Sequence, residues 1–381
     1  MNLSHERGSH SDDAADLERR QRLTFNWSDL PLVTAGLPGT GGRIRQTPED
    51  FQVEEIPAYE PDGHGSHLYL KVRKRGLTTR DLVTALINAG LDESAVGVAG
   101  LKDKAAVTVQ WLSLPKRVEE AAAALEALPG AEILERSYHR NKLGLGHLRG
   151  NRFVITVRDV EPSAADRAEA AFAALAREGA PNWFGPQRFG RFGSNAYDGW
   201  KVISGESVPG GHRLRRFFVS ALQSLAFNAI LADRIAEGLY DTVVSGDWAR
   251  KHDTGGTFLV EDAVAEAPRA ERLEISATIP LYGRKVRPSP GMAGELEAAV
   301  MERFELQWQQ FTSRRGDRRS SRILVDAPTV EERSDGLVLS FALPKGSYAT
   351  SVLREVMKVD VDEPVDHRLE VEADEDSAPS A

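Results

Sequence analysis

Short segments of the chain alternate hydrophobic and polar residues, the period of strands that bury one face. They lie at residues 51–56, 67–73 and 151–160, and a further segment of this kind spans 337–343. A fifth, mostly apolar, run covers residues 107–114. Together these patterns predict a sheet of short strands as the framework of the fold.

Helices are predicted between these strands from their capping residues. Thr78, followed by Asp81 in the first turn, caps one helix. Ser163, with Asp166 placed for a capping box, begins another helix that ends at Gly179. Strands and helices therefore alternate along the first part of the chain.

The order of elements changes after Gly179. A loop rich in glycine, asparagine and aromatic residues spans 181–199, and long helical patterns follow near 217–237 and 291–311. Alternation of strand and helix returns only at residues 337–358. A helical block inserted into an α/β domain accounts for this order.

The composition is that of an ordinary globular protein, since the 381 residues are 41% hydrophobic and 28% charged. This length predicts two domains. The chain has no cysteine, which excludes disulfides, thiolate zinc sites and thiol nucleophiles. It also has no apolar run of 18 residues and no basic-then-apolar signal pattern at its start. We therefore expect a cytoplasmic protein that does not contact a membrane.

Negative charge is concentrated at the end of the chain. The net charge is −9, but residues 359–376 hold nine acids and one base, so the remainder is near −1. We expect this acidic tail to be solvated and disordered. The charge of the body must therefore be considered separately from that of the tail.

Bases in the body occur in four clusters. They are residues 139–158, with five bases and no acid; residues 314–322, with five arginines and one aspartate; Arg73, Lys74, Arg75 and Arg80; and Arg213, Arg215 and Arg216. Each cluster alone is typical of a solvated surface. Several such clusters on a nearly neutral body favour an anionic polymer as the partner.

A search for catalytic motifs leaves few kinds of chemistry. The chain has no G-x-x-x-x-G-K-[ST] phosphate loop and no G-x-S-x-G nucleophile elbow. His64 and His67 have the spacing of metal ligands, but no neighbour completes a set, so a polar loop is the better interpretation. An enzyme that uses carboxylate chemistry without a metal or cofactor remains open, and so does a protein that only binds.

The most informative segment is residues 99–111, AGLKDKAAVTVQW. In it Asp103 lies between Lys102 and Lys104, and the two ammonium groups favour the charged form of the acid. Gly100 allows a sharp turn that can push the carboxylate out of the sheet. Asp103 is therefore a candidate nucleophile or base, and the alternative is a surface turn with a local ion pair.

Five segments, in the same order, resemble the motifs of the TruD family of tRNA pseudouridine synthases. Residues 99–111 resemble its catalytic motif. The other four are 47–55 (TPEDFQVEE), 143–153 (LGLGHLRGNRF), 181–190 (PNWFGPQRFG) and 341–351 (FALPKGSYATS). The resemblance extends over roughly residues 41–358.

The resemblance implies isomerisation of uridine to pseudouridine in tRNA, most often at position 13. By position, Asp103 matches the family's nucleophile, and Arg45 matches a residue that would pair with it. Four further residues match substrate-binding or active-site positions: Phe51, Asn151, Phe153 and Tyr348. The resemblance also implies that no cofactor and no metal take part.

These residue types suit that reaction. Moving a base from a C–N to a C–C glycosidic bond is redox-neutral, and a carboxylate can attack the ribose C1′ or the uracil C6, or act on the sugar to give an unsaturated intermediate. An arginine can hold such a carboxylate with two donors. Aromatic walls would retain the detached base after it has been flipped out of the RNA.

The implied fold is α+β, with a mixed, mainly antiparallel sheet flanked by helices and a large, helix-rich inserted TRUD domain. We expect four regions: a disordered N-terminal tail over 1–24, a catalytic domain over 25–178 and 325–358, the insert over 179–324, and a disordered acidic tail over 359–381. We also expect a monomer whose partner is tRNA.

Two other functions remain compatible with the residues. One is a non-catalytic RNA-binding protein on the same scaffold, and the other is a carboxylate-dependent hydrolase that acts on another anionic substrate. A pure binder has no use for an ionised carboxylate that faces an anionic ligand. Asp103 between two lysines therefore favours catalysis, although Asn141 and Gly144 stand where further bases would be expected.

Overall fold

The computed structural model describes residues 6–361, with side chains from residue 14 onward. Fifteen strands lie in this part of the chain: β1 Gly41–Arg43, β2 Phe51–Pro57, β3 His67–Arg75, β4 Gly97–Val98, β5 Val107–Pro115, β6 Ala131–His139, β7 Leu148–Val160, β8 Ala180–Pro181, β9 Trp248–Lys251, β10 Thr257–Leu259, β11 Ile275–Leu281, β12 Asp317–Ser320, β13 Arg322–Ile323, β14 Asp326–Arg333 and β15 Gly336–Pro344.

The described residues also contain nine α-helices: α1 Glu6–Arg22, α2 Thr79–Asn88, α3 Ala123–Glu126, α4 Ala164–Glu178, α5 Asn195–Ile203, α6 His212–Ala236, α7 Ala263–Glu271, α8 Gly291–Arg303 and α9 Ala349–Met357. Six short 3-10 helices accompany them: Trp27–Asp29, Pro48–Asp50, Glu93–Ala95, Lys116–Ala122, Pro186–Arg188 and Trp308–Phe311. Within residues 6–361, no helix is long and apolar enough to cross a lipid bilayer.

A nine-stranded sheet forms the framework of the fold. Its main path runs β14-β15-β7-β2-β5-β3-β6, and β1 and β4 pair at the side with β7 and β5. Only the central pair β2 and β5 is parallel, and the other pairs are antiparallel. The predicted α+β class with a mixed, mainly antiparallel sheet is confirmed.

Helices cover the two halves of this sheet with separate apolar cores. Near β7 and β15, Phe172 of α4 and Leu353 of α9 pack with Phe341. Near β3 and β5, Leu86 of α2 packs with Leu70 and with neighbouring leucines. Burying such side chains contributes about 1.5–3 kcal/mol each, so both halves hold the central strands rigidly.

The local signals for helix starts were partly right. α2 begins after Thr78, where the Asp81 N–H donates to the threonine hydroxyl at 3.1 Å and the Thr78 N–H donates back to the Asp81 carboxylate at 2.6 Å. α4 also forms, but the capping box predicted at Ser163 does not. Ser163 has a φ of +57°, and its side chain makes no cap hydrogen bond.

The region from 179 to 324 contains more than helices. Next to the 25-residue α6 lies a four-stranded antiparallel sheet with the order β10-β9-β11-β12. This sheet was not predicted. The division of the chain into a catalytic domain and an insert at these bounds stays a proposal.

The prediction of a disordered tail over 1–24 was wrong for its described part. α1 occupies Glu6–Arg22, and the Arg19 guanidinium donates to the Glu305 carboxylate at 2.9 Å. The Phe25 N–H donates to the Gly193 carbonyl at 3.0 Å, and Leu23 and Phe25 join the core around α6. Residues 6–22 contain only three hydrophobic residues, so no hydrophobic pattern predicted these contacts. Of the predicted acidic tail over 359–381, residues 362–381 lie outside the described residues.

Candidate active site

All six residues that the family resemblance singled out line one cavity at the centre of the large sheet. They are Arg45, Phe51, Asp103, Asn151, Phe153 and Tyr348. The open space amounts to about 750 Å³, including the part that reaches solvent.

The central strands position most of these side chains. Asn151 and Phe153 are alternate residues of β7, so they share one face. Phe51 begins the neighbouring β2, where Val53 is paired with Phe153. Asp103 lies in the loop between β4 and β5, and Tyr348 directly precedes α9. Segments far apart in sequence therefore meet because their strands are adjacent in the sheet.

The Asp103 side chain is exposed at the cavity, while hydrogen bonds to the backbone hold its loop in place. The Lys74 ammonium donates to the Asp103 carbonyl oxygen at 2.8 Å and to the Leu77 carbonyl oxygen at 2.5 Å. The Lys102 N–H donates to the Thr79 hydroxyl at 2.8 Å. The loop thus presents a carboxylate on a fixed backbone.

The Lys102 ammonium does not pair with the Asp103 carboxylate, although the sequence predicted that it would favour the charged form of that acid. The ammonium turns inward and pairs with the Glu55 carboxylate at 2.6 Å, with side chains only 7% and 1% exposed. The second Glu55 oxygen accepts from the Trp111 N–H at 3.0 Å. Only Lys104 remains exposed beside Asp103. The local ion pair expected at this turn is therefore replaced by a buried pair that anchors the loop to β2 and β5.

Lys74 is a buried ammonium rather than part of a basic surface. It is 0% exposed, and burial lowers its pKa from 10.5 to about 8, against the opposing effect of the Asp103 charge. Lys102 and Asp81 are the other charged groups that act on it. The neutral amine keeps two N–H groups, enough for both carbonyl bonds.

This lowered pKa predicts a pH dependence of stability. The folded protein releases the Lys74 proton near pH 8, whereas the unfolded chain releases it only near 10.5. The unfolded state then binds more protons, so stability rises with pH across that window. We expect wild type to gain roughly 2–3 kcal/mol relative to Lys74→Met between pH 7 and pH 10. Urea unfolding at four pH values measures this, and a difference independent of pH would contradict it.

Arg45 and the aromatic residues form one stacked wall. Arg45 has a φ of +58°, a conformation uncommon for non-glycine residues. Its guanidinium carbon lies 4.2 Å from the centre of the Phe51 ring. Phe51 in turn packs edge-on against Phe153 at 6.2 Å, and Phe153 contacts Phe341 at 5.6 Å. Phe153 therefore belongs both to the cavity wall and to the core.

Two buried oxygens in the cavity lining have no hydrogen-bond partner among the described residues. They are Oδ1 of Asn151 and Oγ1 of Thr108. Leaving such a group without a partner costs about 1–3 kcal/mol. Both oxygens can accept a hydrogen bond, and the described residues provide none.

The far wall of the cavity is formed around Tyr348. Its hydroxyl accepts from Arg188 at 3.5 Å, and its ring lies 6.2 Å from that of Phe184. Gln187, beside Arg188, also lines the cavity. This wall comes from the segment 181–190, which the sequence marked as a motif without assigning its residues to the site.

Other lining residues were missed by the sequence argument, among them Leu101, Thr108, Gln187, Ser347 and Thr350. All of them lie inside the motif segments or adjoin named residues, so proximity to the motifs was the available signal. Within residues 14–361, no three His, Asp or Glu side chains are arranged to hold a metal ion.

Comparison with known proteins places this arrangement in a family. The chain matches the profile of tRNA pseudouridine synthase D (TruD) over residues 29–207 and 206–356. The chain belongs to the TruD family. A tRNA pseudouridine synthase D from Thermus thermophilus is 51% identical over 356 residues, which cover 93% of this chain and 99% of that protein.

Two further relatives agree with this assignment. A tRNA pseudouridine synthase D from Anaeromyxobacter dehalogenans is 47% identical over 350 residues, covering 89% of this chain and 99% of the relative. A crystal structure described as a putative TruD protein from Methanosarcina mazei has a TM-score of 0.69 and 26% identity, covering 90% of this chain and 98% of its own. The expected family and the isomerase class are confirmed.

Proposed function

We propose that this TruD protein converts uridine to pseudouridine in tRNA, with position 13 as the target. The observation that carries the proposal is the convergence of Asp103 and its five companion residues on one cavity. The relatives named above are tRNA pseudouridine synthases, which supports tRNA as the substrate class.

In this proposal Asp103 is the nucleophile. Its exposed carboxylate faces the cavity from a loop fixed by Lys74 and Lys102, which is the placement that an attacking group needs. The C1′–N1 bond breaks and a C1′–C5 bond forms, while C5 loses a proton and N1 gains one. Attack at C1′, attack at C6 and elimination on the sugar all meet this balance.

The other cavity residues would hold the base while it turns. Phe51, Phe153 and Tyr348 supply apolar walls that stack on a flipped uracil. The unpartnered Oδ1 of Asn151 would accept from the uracil N3–H or a ribose hydroxyl. Arg45 and Asp103 line the same cavity, with no ion pair between the two within residues 14–361. In this proposal Arg45 would pair with the Asp103 carboxylate in the substrate complex, and its stacking on Phe51 would fix the wall of the pocket.

The test is release of tritium from C5-labelled uridine in a tRNA transcript. Because C5 loses its proton only when the new glycosidic bond forms, release reports turnover directly. We expect one equivalent per tRNA, lost when the uridine at position 13 is replaced by cytidine. Binding of the transcript without release would overturn the proposal and would favour a non-catalytic RNA-binding protein.

Arg45→Ala should lower the single-turnover rate by about 10²–10³-fold, the effect of removing one charge-stabilising donor from an active site. Binding of tRNA should change less than threefold, because Arg45 acts in this proposal on Asp103 rather than on phosphate. Arg45→Lys keeps the charge and should recover part of the rate. Rapid-quench kinetics with excess enzyme measures both variants, and weaker binding at an unchanged rate would make Arg45 a phosphate contact.

A further inference from the structure

Many bases in the clusters that the sequence marked are ion-paired or buried in the structure. In the third cluster, three ion pairs form: Arg73 with Glu132 at 2.8 Å, Arg75 with Glu49, and Arg80 with Glu93. Lys74, the fourth member, is buried. An ion-paired arginine must give up its carboxylate before it can bind a phosphate, so this cluster offers little to an anionic polymer.

The second cluster is mainly structural. Arg322 is 0% exposed and donates to the carbonyl oxygens of Glu178, Ala270 and Ile275 at 2.9–3.1 Å. Arg319 donates to the Gly346 carbonyl at 2.8 Å, and burial lowers its pKa to about 10. Arg318 pairs with Glu297. Within residues 14–361, Arg314 and Arg315 are the two arginines of this cluster whose guanidiniums form neither an ion pair nor a hydrogen bond.

Those two arginines line a groove with three others. We call it the arginine groove and define it by Arg215, Arg216, Arg284, Arg314 and Arg315. Its open space, including the part that reaches solvent, amounts to about 1300 Å³. Within residues 14–361 none of these five guanidiniums forms an ion pair, in contrast to the third cluster. Asp317 is the carboxylate on its lining.

The arginine groove is rigid on its loop side. The Arg284 N–H donates to the Arg314 carbonyl at 3.0 Å, and the Lys285 N–H donates to the Arg315 carbonyl at 2.9 Å. Gly283 and Gly316 allow this close approach, since a Cβ on Gly283 would lie 2.4 Å from the Gly316 nitrogen. The backbone of these cations is therefore fixed before any ligand binds.

Beyond this contact the cationic surface continues. A second cavity of about 1150 Å³ shares Arg315 and Asp317 with the arginine groove and adds Lys285 and Arg287. Trp248 also lines it, and the indole Nε1–H is buried without a partner in the described part of the chain. A continuous ligand with charge along its length fits this arrangement better than a single small anion.

Arg188 lies near both Arg314 of the arginine groove and Tyr348 of the catalytic cavity. This side chain contacts the Tyr348 hydroxyl at 3.5 Å, and no ion pair forms on it within residues 14–361. Partial burial lowers the pKa of Arg314, and the charges of Arg216 and Arg188 lower it further. Arg314 and Arg216 of the groove and Arg188 beside Tyr348 are therefore close enough for their charges to act on one another.

We propose that the arginine groove binds the RNA phosphate backbone next to the nucleotide held in the catalytic cavity. This inference rests on the proposed function, since it assumes that RNA is the substrate. Guanidinium forks match phosphate oxygens with two hydrogen bonds each. Phosphates that fill the groove would remove the mutual repulsion of its arginines and would help to offset the energy needed to flip the target base.

The test compares two triple variants of the full chain that remove equal charge. One is Arg215→Gln, Arg216→Gln and Arg284→Gln, in the groove. The control is Arg136→Gln, Arg272→Gln and Arg303→Gln, whose arginines are exposed but paired with Glu126, Glu274 and Asp233 at 2.6–2.8 Å. Binding of an unmodified tRNA transcript is measured from low to physiological salt.

We expect the groove variant to bind on the order of 10³-fold more weakly at low salt and to lose about 2–3 from the slope of log K against log [salt], because each phosphate contact contributes about 0.7–0.9. The control variant should keep the wild-type slope. Arg284→Gln alone should lose about 0.8, which tests the assignment without a triple change.

If both triple variants lost the same affinity for tRNA, net charge alone would explain binding and the proposal would be overturned. An unchanged slope in the groove variant would do the same. Stronger competition by polyglutamate than by unlabelled tRNA would assign the groove to an acidic protein instead. None of these binding results depends on tritium release, so failure of the groove and failure of the isomerase activity are distinguishable.

Discussion

Asp103→Asn should abolish turnover, lowering the rate by on the order of 10⁴-fold or more, as expected when a nucleophile is removed. Folding should be unaffected. The side chain is exposed, and the contact that fixes this loop is made to the Asp103 carbonyl oxygen, which asparagine keeps. Exposed substitutions of this kind change stability by about 0.5 kcal/mol or less. Tritium release, tRNA binding and thermal unfolding together measure the outcome.

The matched control is Asp241→Asn, which removes an exposed carboxylate away from the cavity lining. It should retain wild-type turnover. Substantial tritium release by Asp103→Asn would refute the nucleophile assignment. Loss of folding in the same variant would instead show that the carboxylate, and not only the backbone, supports the loop.

Lys102→Met should destabilise the protein by about 3–5 kcal/mol, because it leaves a charged carboxylate buried without its cation. Glu55 is 1% exposed, and its second oxygen is already engaged by the Trp111 N–H. Lys104→Met is the control on the other side of Asp103. It changes the same residue type at an exposed position and should cost about 0.5 kcal/mol or less. Urea unfolding at neutral pH measures both.

The double variant Lys102→Met with Glu55→Gln separates charge from packing. Glutamine is neutral and still accepts the Trp111 N–H, so the double variant should recover much of the lost stability. If Lys102→Met and Lys104→Met had the same effect, the buried pair would not stabilise this loop. Lys102→Met should lose activity only in proportion to its loss of folded protein, because the Lys102 ammonium pairs with Glu55 and not with Asp103.

Strands with one buried face were readable from the sequence. β2, β3, β5, β7 and β15 all form within a few residues of their predicted bounds. The edge strands β6 and β14 were missed because most of their residues are exposed or half-buried, so neither has a clean alternation. A strand at the edge of a sheet buries fewer side chains, so it lacks the hydrophobic alternation from which strands were predicted. The local sequence does not show which strands lie at an edge.

The candidate site was predictable as a set of residues but not as an arrangement. Asp103, Asn151 and Tyr348 were identified because motif order resembles a family. These residues share a cavity because β7 lies between β2 and β15 in the sheet. The partners of Lys102 and Lys74 were not predictable, since each interacts with a residue 29 to 47 positions away.

By itself, the sequence determined the family, the α+β class and the identity of the residues around Asp103, because these depend on local patterns and on ordered motifs. Tertiary structure alone decided which charges are available. It turned Lys102 and Lys74 inward beneath Asp103 and paired or buried most of the marked bases. It also left the arginines of the groove without ion-pair partners in the described part of the chain. The sequence shows which residues are charged, but whether a charge is paired depends on neighbours that only the folded chain brings together.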